Sequence, residues 1–565
     1  MKKLFIILLS CMLLLAGCSG NGKNVILAKD GETEYKIVNY LSESDSAVRS
    51  LTTYLIAKTG ASFTIANNGE KAIYFGTPED FANVENVNLV ESYANYLITV
   101  QEGNIYVVVS SEMVTEAAVE ELKKNIEEVS SGKFGVSEDM NIVKNMDGSS
   151  EPIPVFDTSS GNMLENLYDC GSNNNYEVIY QNLDTTSAPG EIGAYKAKAV
   201  EAGYELHSEN SIGDNQFLTY VKGDTMVHCN YFPALGQFRI VYGLAGYLPA
   251  TEPVESNKVV EPSMSLIQMP NALCMVYQGS DGSFVVIDGN YGTDAEISVV
   301  LNKGTAAERP LTYKRDTNQS MESLWNFLAE NTPDGGRPQV TWMITHADPD
   351  HIGLPTKFIK KYAGQFDLNM VCYNFPNTQI IGLTYGEGPD VYATYAETFV
   401  STVKDKYPDA VHYVYHTGDK LYVPGGEIEF LFTHEDLAPN TMASMNHTSG
   451  VWRFTVEGST VLITGDAEKE SCNQMVACYG ELLKSDALQC NHHGSNAATL
   501  EFYQQVDPSV CFWACNPDYF NYDQRQLGIQ SGYEFNRFLR QSGKVKAHYT
   551  CDRTHTVLLP SLEER

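Results

Sequence analysis

The chain has 565 residues, 43% of them hydrophobic, and a formal net charge of −33 from 38 Lys and Arg against 71 Asp and Glu. That length holds two to four packed domains, and the acidic balance disfavours nonspecific nucleic-acid binding, which relies on Lys and Arg displacing counterions from phosphates. The 34 Tyr and 23 Phe suit stacking on sugars or choline-like groups, although such residues more often fill cores and surfaces.

The N-terminus reads as an export signal. Met1-Lys2-Lys3 is basic, residues 4–15 are almost wholly apolar, and Leu15-Ala16-Gly17-Cys18 matches a bacterial lipoprotein processing box. The apolar run is too short to span a bilayer and is expected to be removed as a leader, residues 1–18. Cys18 would become the lipidated first residue, its acyl chains anchoring at ~0.8 kcal/mol per buried CH₂. The expected location is therefore extracytoplasmic, on the bacterial cell membrane. The other cysteines lack paired spacings. An exported chain could pair some of them, and buried free thiols fit equally well.

Residues 27–147 begin with a strand at 35–38, then a helix over 44–59 with Val48, Leu51, Leu55 and Ile56 at helical spacing, stopped by Gly60. Strands at 72–75, 96–100 and 105–109 precede a second helix over 116–129. The helix ending Thr59-Gly60 and the run Ala72-Ile73-Tyr74-Phe75-Gly76 resemble the non-catalytic N-terminal αβ domain of β-hexosaminidases and α-glucuronidases, which implies an accessory domain with possible glycan contact. A Ser-, Gly- and Pro-rich linker, 147–154, leads to a small α+β module over 154–255. Its His207 and His228 have no chelating partner motif and read as structural.

The last segment, 262–562, carries the chemistry. Apolar runs at 275–277 and 284–287 flank a Gly turn and lead into Asp288. A further run, 340–344, enters His346-Ala347-Asp348-Pro349-Asp350-His351, four metal-capable side chains within six residues. At a strand-to-loop junction such a run can supply ligands to adjacent cations. A helical stripe follows (Ile352, Phe358, Ile359 and Tyr362), with Pro355 tolerated in the first turn. A strand at 368–373 and a helix marked by Tyr392, Tyr395, Phe399 and Val403 come next. Downstream, His447 enters a hairpin formed by 451–456 and 461–463, and Asp466 leaves it. Asn491-His492-His493-Gly494-Ser495 closes the series after a helix carrying Met475, Val476, Tyr479 and Leu483.

Together and in this order the motifs resemble the metallo-β-lactamase fold superfamily. The His-x-Asp-x-Asp-His, Thr-Gly-Asp and His-His-Gly-Ser elements are similar to the branch containing the hydrolase domain of DNA-uptake competence proteins and the phosphorylcholine esterases of teichoic acid. Asp348 stands where β-lactam-hydrolysing members carry His. The resemblance implies an α/β chain whose C-terminal domain has four αββα layers, preceded by two small α/β or α+β domains. It implies that His346, Asp348 and His447 hold one metal, that Asp350, His351 and one of His492 and His493 hold the other, and that Asp466 bridges. Adjacent loop residues point apart, which favours His493 as ligand and His492 as a substrate or proton-transfer contact. Asp350 and His492 are the candidate catalytic pair, and Asp288 is expected behind the ligands, orienting their loop.

Paired cations ~3.5–4 Å apart can ionise a shared water and stabilise attacking and leaving oxygens. The carboxylate-rich set favours Mn²⁺, Mg²⁺ or Fe²⁺ while remaining compatible with Zn²⁺. Two divalent cations less three carboxylates leave the site about one unit positive, suited to a phosphoryl oxyanion. The expected activity is hydrolysis of phosphoester or phosphodiester bonds in envelope or extracellular polymers. A surface nuclease and a non-catalytic glycan-binding lipoprotein are the alternatives.

Overall fold

The structure, a computed structural model, describes residues 23–565 except 42–44, 165–166, 254, 256, 271, 302–308, 379–387, 441, 496 and 521–533. The leader and Cys18 lie outside the described residues. The chain divides into two compact units, Met1–Val155 and Phe156–Arg565. No helix among the described residues is long and apolar enough to cross a membrane. The ten described cysteines are buried and unpaired.

In the first unit, a six-stranded sheet runs in the order Thr64–Ala66, Lys36–Asn39, Ala72–Gly76, Asn104–Val109, Asn95–Gln101 and Asn141–Asn145. The helix Asp45–Thr59 buries Val48, Leu51 and Leu55 completely, whereas Ile56 is 43% exposed and falls off the stripe. Gly60 ends it at φ +73°, a left-handed position that glycine adopts without a Cβ penalty. The second helix is shorter than the sequence suggests. It spans Thr115–Asn125, because Glu127–Ser130 is a strand paired with Lys133–Ser137.

The second unit starts with an antiparallel meander of Tyr176–Gln181, Gln237–Leu244, Thr225–Phe232, Asn215–Lys222 and Glu205–Ile212. The helix Ala188–Glu201 covers one face, where Tyr195 and Phe156 meet Phe238 with ring centroids 5.6 and 4.5 Å apart. Every residue of Thr225–Phe232 is buried, so the sheet is covered on both sides. Ile212, Phe217 and Phe232 join the core that also holds Leu462, Met475 and Phe502. Residues 154–255, set off as a module by the sequence, thus share a core with the segment that follows. His228 sits in that seam, its Nδ1 2.8 Å from Thr219 Oγ1 and its Nε2 2.8 Å from the Thr417 carbonyl.

From residue 262 the strands form two mixed sheets. One is ordered Val411–Val414, Asp367–Tyr373, Gln339–Met343, Phe284–Asp288, Cys274–Gln278, Ser263–Leu266 and His555–Leu558. The other runs Lys420–Val423, Gly426–Phe432, Val451–Val456, Ser459–Ile463, Ala487–Gln489, Val510–Phe512 and Ala547–Tyr549. Side chains alternate along a strand, so a strand apolar at successive positions needs cover on both faces. Met275, Ile287 and Met343 of the first sheet meet Trp452, Phe454 and Ile463 of the second in one core. The opposite face of the first sheet presents Val276, Val286 and Trp342 to Leu324, Phe358 and Phe399 of three helices, Thr317–Asn331, Pro349–Lys361 and Pro389–Lys406. The outer face of the second sheet packs Leu462 and Leu488 on Met475 and Phe502 of the helices Lys469–Tyr479 and Leu500–Val506. The order is helix, sheet, sheet, helix.

Pro355 lies inside the helix Pro349–Lys361, beyond the first turn in which the sequence placed it. Just before it, the Leu354 amide donates to the Asn290 carbonyl at 2.6 Å. The segment after Asp288 is thereby tied to the start of this helix.

Candidate metal centre

Four of the strands just described stop beside one another, and the predicted residues follow their C-terminal ends. Asp288 ends Phe284–Asp288, and the His346 loop follows its parallel neighbour Gln339–Met343. In the other sheet, Asp466 follows Ser459–Ile463 and the His492-His493 turn follows its parallel neighbour Ala487–Gln489. Crevices beyond the carboxyl ends of parallel strands are where open α/β sheets bind ligands. Gly465 lets the two loops touch: a Cβ there would lie 2.8 Å from Cβ of Thr345.

Asp350, His351, Asp466 and His493 bring one ligand atom each to within 4.8 Å of one another. Asp466 Oδ2 lies 3.2 Å from His351 Nε2 and 3.4 Å from His493 Nε2, and Asp350 Oδ2 lies 3.3 Å from His493 Nε2. His346 adjoins this group, its ring centroid 4.2 Å from that of His351 and its Nε2 3.5 Å from Asp348 Oδ2.

Each of these three histidines is turned the same way by a bond made behind it. His351 Nδ1 meets Asp288 Oδ2 at 2.7 Å, and His493 Nδ1 meets the Ala514 carbonyl at 3.0 Å. His346 Nδ1 meets Thr345 Oγ1 at 2.9 Å, and that hydroxyl donates its own proton to Asp288 Oδ2 at 2.6 Å. An acceptor facing Nδ1 places the proton there and leaves the Nε2 lone pair for the site. The Nε2 atoms of all three, with Asp466 Oδ1, are buried without a hydrogen-bond partner. Buried polar atoms are seldom left so, and this donor set fits divalent metal ions.

Asp288 holds the arrangement together. It is fully buried, with φ 53°, and its Oδ1 accepts from the Thr345 amide at 2.7 Å. His492 and His493 also have positive φ, 46° and 55°, a conformation that costs an L-residue roughly 1–2 kcal/mol. The His492 amide bonded to the Gly465 carbonyl at 3.0 Å and Asn491 Nδ2 bonded to the Ala467 carbonyl at 2.9 Å secure the turn. Both rings approach Asp466: His493 is buried, with Nε2 3.4 Å from Asp466 Oδ2, while the His492 side chain is 29% exposed with Nε2 3.6 Å from the same oxygen.

The electrostatics favour positive charge at this point. Burial alone would depress His351, but the carboxylates of Asp466, Asp288 and Asp350 outweigh it and hold the ring well above the usual histidine range. His493 is likewise raised, against burial, to about 10 by Asp466 and Asp350. Burial opposes ionisation of Asp350, yet His351 and His493 draw it down to about 2.

His447 departs from the expected ligand set. Its Nε2 lies 2.8 Å from Glu468 Oε2 and 3.2 Å from Glu470 Oε2, and the three form a second group of side chains that could hold a metal ion. The reason is local. The Ala443 amide donates to His447 Nδ1 at 3.1 Å, which places the ring proton on Nε2, facing a carboxylate. Glu468 and Glu470 were not singled out from the sequence, although alternating acids at the start of a helix, after Asp466, are a legible signal.

No family model matches the chain. A stretch of 112 residues is 31% identical to ComE operon protein 3 of Bacillus subtilis (strain 168), covering 19% of this chain and 14% of that protein's length. Among solved structures, the chain is similar to CmlA, a diiron β-hydroxylase from Streptomyces venezuelae, at 12% identity and TM-score 0.31 over 55% of each chain. It is also similar to YhfI of Bacillus subtilis, a metallo-β-lactamase fold protein, at 13% identity and TM-score 0.29 over 53% of this chain and 99% of that one. Yeast PDE1 matches at 12% identity and TM-score 0.30, over 53% of this chain and all of the other. Overlaps this slight carry no chemistry across. The two facing mixed sheets and the helices on both outer faces give the segment from residue 262 the four-layer αββα architecture that its motifs led one to expect.

Proposed function

We propose that this chain is a metal-dependent hydrolase of phosphoester or phosphodiester bonds, acting on an envelope or extracellular polymer and held at the membrane through lipidated Cys18. One observation carries the reading. Nε2 of His346, His351 and His493 and Oδ1 of Asp466 are buried without a hydrogen bond, with Nε2 of His351 and His493 3.2–3.4 Å from the carboxylates of Asp466 and Asp350, while Nδ1 of every ring is engaged elsewhere. When bound there, divalent cations supply Lewis-acid activation of water and neutralise phosphoryl oxygens. The chain's own contribution is placement. Asp350, His351, Asp466 and His493 hold one position, and His346 with Asp348 flank it. His492, the least buried of these side chains, is the one a substrate would contact.

The test is metal analysis of the purified chain followed by turnover of bis-p-nitrophenyl phosphate with defined metals. Metal-dependent turnover that vanishes in Asp466→Asn, with the fold retained, is expected. Full activity in that variant would refute the assignment of Asp466, and no turnover on any phosphoester would favour a glycan-binding lipoprotein. The match to ComE operon protein 3 supports a surface nuclease as the second reading. Faster cleavage of single-stranded DNA than of phosphocholine esters would promote it, against the net charge of −33.

A further inference from the structure

Between Asp288 and the first outer helix the chain makes an excursion that the sequence did not announce. Residues 288–292 run along the start of the helix Pro349–Lys361. The Asn290 carbonyl accepts from the Leu354 amide, and a Cβ on Gly292 would lie 2.8 Å from the Gly353 carbonyl oxygen. Tyr291 is thereby set beside the turn that carries Asp348 and Asp350. The chain then forms an antiparallel hairpin, Ala295–Leu301 with Arg309–Arg315. The hairpin reaches the other half of the domain: Leu311 enters the core of the second sheet's outer helices, and the Tyr313 ring lies 6.3 Å from Tyr519. It therefore passes from the first sheet's ligand loop to the second sheet's helices.

Arg315 closes this hairpin. Its guanidinium carbon stands 3.6 Å from the centre of the Tyr291 ring, a stacking arrangement that fixes the plane of the fork. Its Nε and Nη1 are buried with no hydrogen-bond partner. Burial and the charges of Asp350 and Asp348 push the Tyr291 phenol up, with Arg315 acting in the opposite sense. A permanently charged group with two unmet donors is costly to bury; the Nε and Nη1 N–H groups diverge, and a charge-assisted hydrogen bond from either one suits a phosphoryl oxygen.

We propose that Arg315, on its Tyr291 shelf, binds a phosphoryl oxyanion of the substrate beside the metal centre and is a specificity-determining residue of the site. The identity of that anion rests on the phosphoester reading above. Under this assignment the hairpin brings the substrate's charge to the ligands, and a neutral ester gains nothing from it.

The experiment measures inorganic phosphate binding by calorimetry to the Mn²⁺-loaded full chain, with metal content matched between variants. Loss of a charge-assisted hydrogen-bonded pair predicts that Arg315→Gln binds phosphate about 10- to 100-fold more weakly. It should also raise KM for bis-p-nitrophenyl phosphate more than it lowers kcat, while Tyr291→Phe, which keeps the shelf, binds as wild type does. Arg315→Lys provides a second route should the Gln variant fail to fold. It keeps the charge without the fork, and several-fold weaker binding is expected. Phosphate affinity equal to wild type in either folded variant overturns the proposal. Arg315-dependent phosphate binding without phosphoester turnover would leave this anion site standing and remove the reaction; turnover with unchanged phosphate affinity in Arg315→Gln would do the reverse.

Discussion

Asp288 Oδ2 and His351 Nδ1 stand 2.7 Å apart with both side chains fully buried. The same carboxylate reaches His346 through the Thr345 hydroxyl, so one residue sets two of the rings. Replacing Asp288 with Asn keeps the shape but puts an amide where two donors converge. Metal affinity is expected to fall about 10- to 100-fold, read by competition with a chelator. Unchanged affinity would show that ring orientation comes from packing alone.

His447 offers a direct contest between spacing and structure. Its distance from Asp466 along the chain suits a ligand, whereas its Nε2 proton faces Glu468. Metal content measured on His447→Ala is expected to match wild type, because Asp350, His351, Asp466 and His493 remain. Loss of a full metal equivalent would restore His447 to the ligand set.

Arg239 binds the 156–255 segment to the rest of its unit. It is 1% exposed, pairs with Glu177 at 3.0 Å, and donates to the carbonyls of Glu435, Asp436 and Ala438 at 3.1, 3.1 and 2.8 Å. Removing one partner of a buried pair typically costs ~3–5 kcal/mol, since the other charge stays buried. Arg239→Met should lose about that much in urea unfolding, and Arg239→Met with Glu177→Leu should recover a good part of it. An Arg239→Met chain as stable as wild type would mean that the seam is held by its apolar contacts.

A pH dependence follows from His416 and Glu435, whose Nδ1 and Oε2 are 3.0 Å apart. Burial works against a charged His416, but Glu435 outweighs it and raises the ring. Burial likewise works against a charged Glu435, and His416 draws it down to about 2. Asp419 and Glu177 also act on the ring, and His228 stacks on it at 5.1 Å. A raised histidine stabilises fully below its unfolded value of ~6.5 and loses that contribution as pH rises through the folded value. The lowered carboxylate stabilises above its ordinary value of 4.5 and loses its contribution as pH falls through about 2. The stability gap between wild type and His416→Gln should narrow as pH climbs past neutrality; a gap constant across neutral and alkaline pH would contradict the pairing.

The central strands were legible because their apolar runs are continuous or cleanly alternating. Residues 340–344 and 451–456 show this, and the structure moves their ends by at most one residue. Ala487–Gln489 is three residues long, too short for any period to register. The hairpin ending at Arg315 escaped for a different reason: Leu311 and Tyr313 find their partners near Tyr519, some two hundred residues away. Likewise the second helix reads to 129 from composition, yet pairing with Lys133–Ser137 claims Glu127–Ser130 as strand.

By itself the sequence determined the kinds of candidate ligand, their order along the chain and most of the strands that deliver them, because side-chain chemistry and strand periodicity are local properties. Tertiary structure alone decided which nitrogen of each ring faces the site, that His447 turns to Glu468, and that Arg315, stacked on Tyr291, is left with unmet donors. Those outcomes depend on acceptors and shelves contributed from far along the chain: Asp288 behind His351, Ala514 behind His493, Tyr291 beneath Arg315. A hydrogen bond acts over about 3 Å, and only folding brings such partners that close.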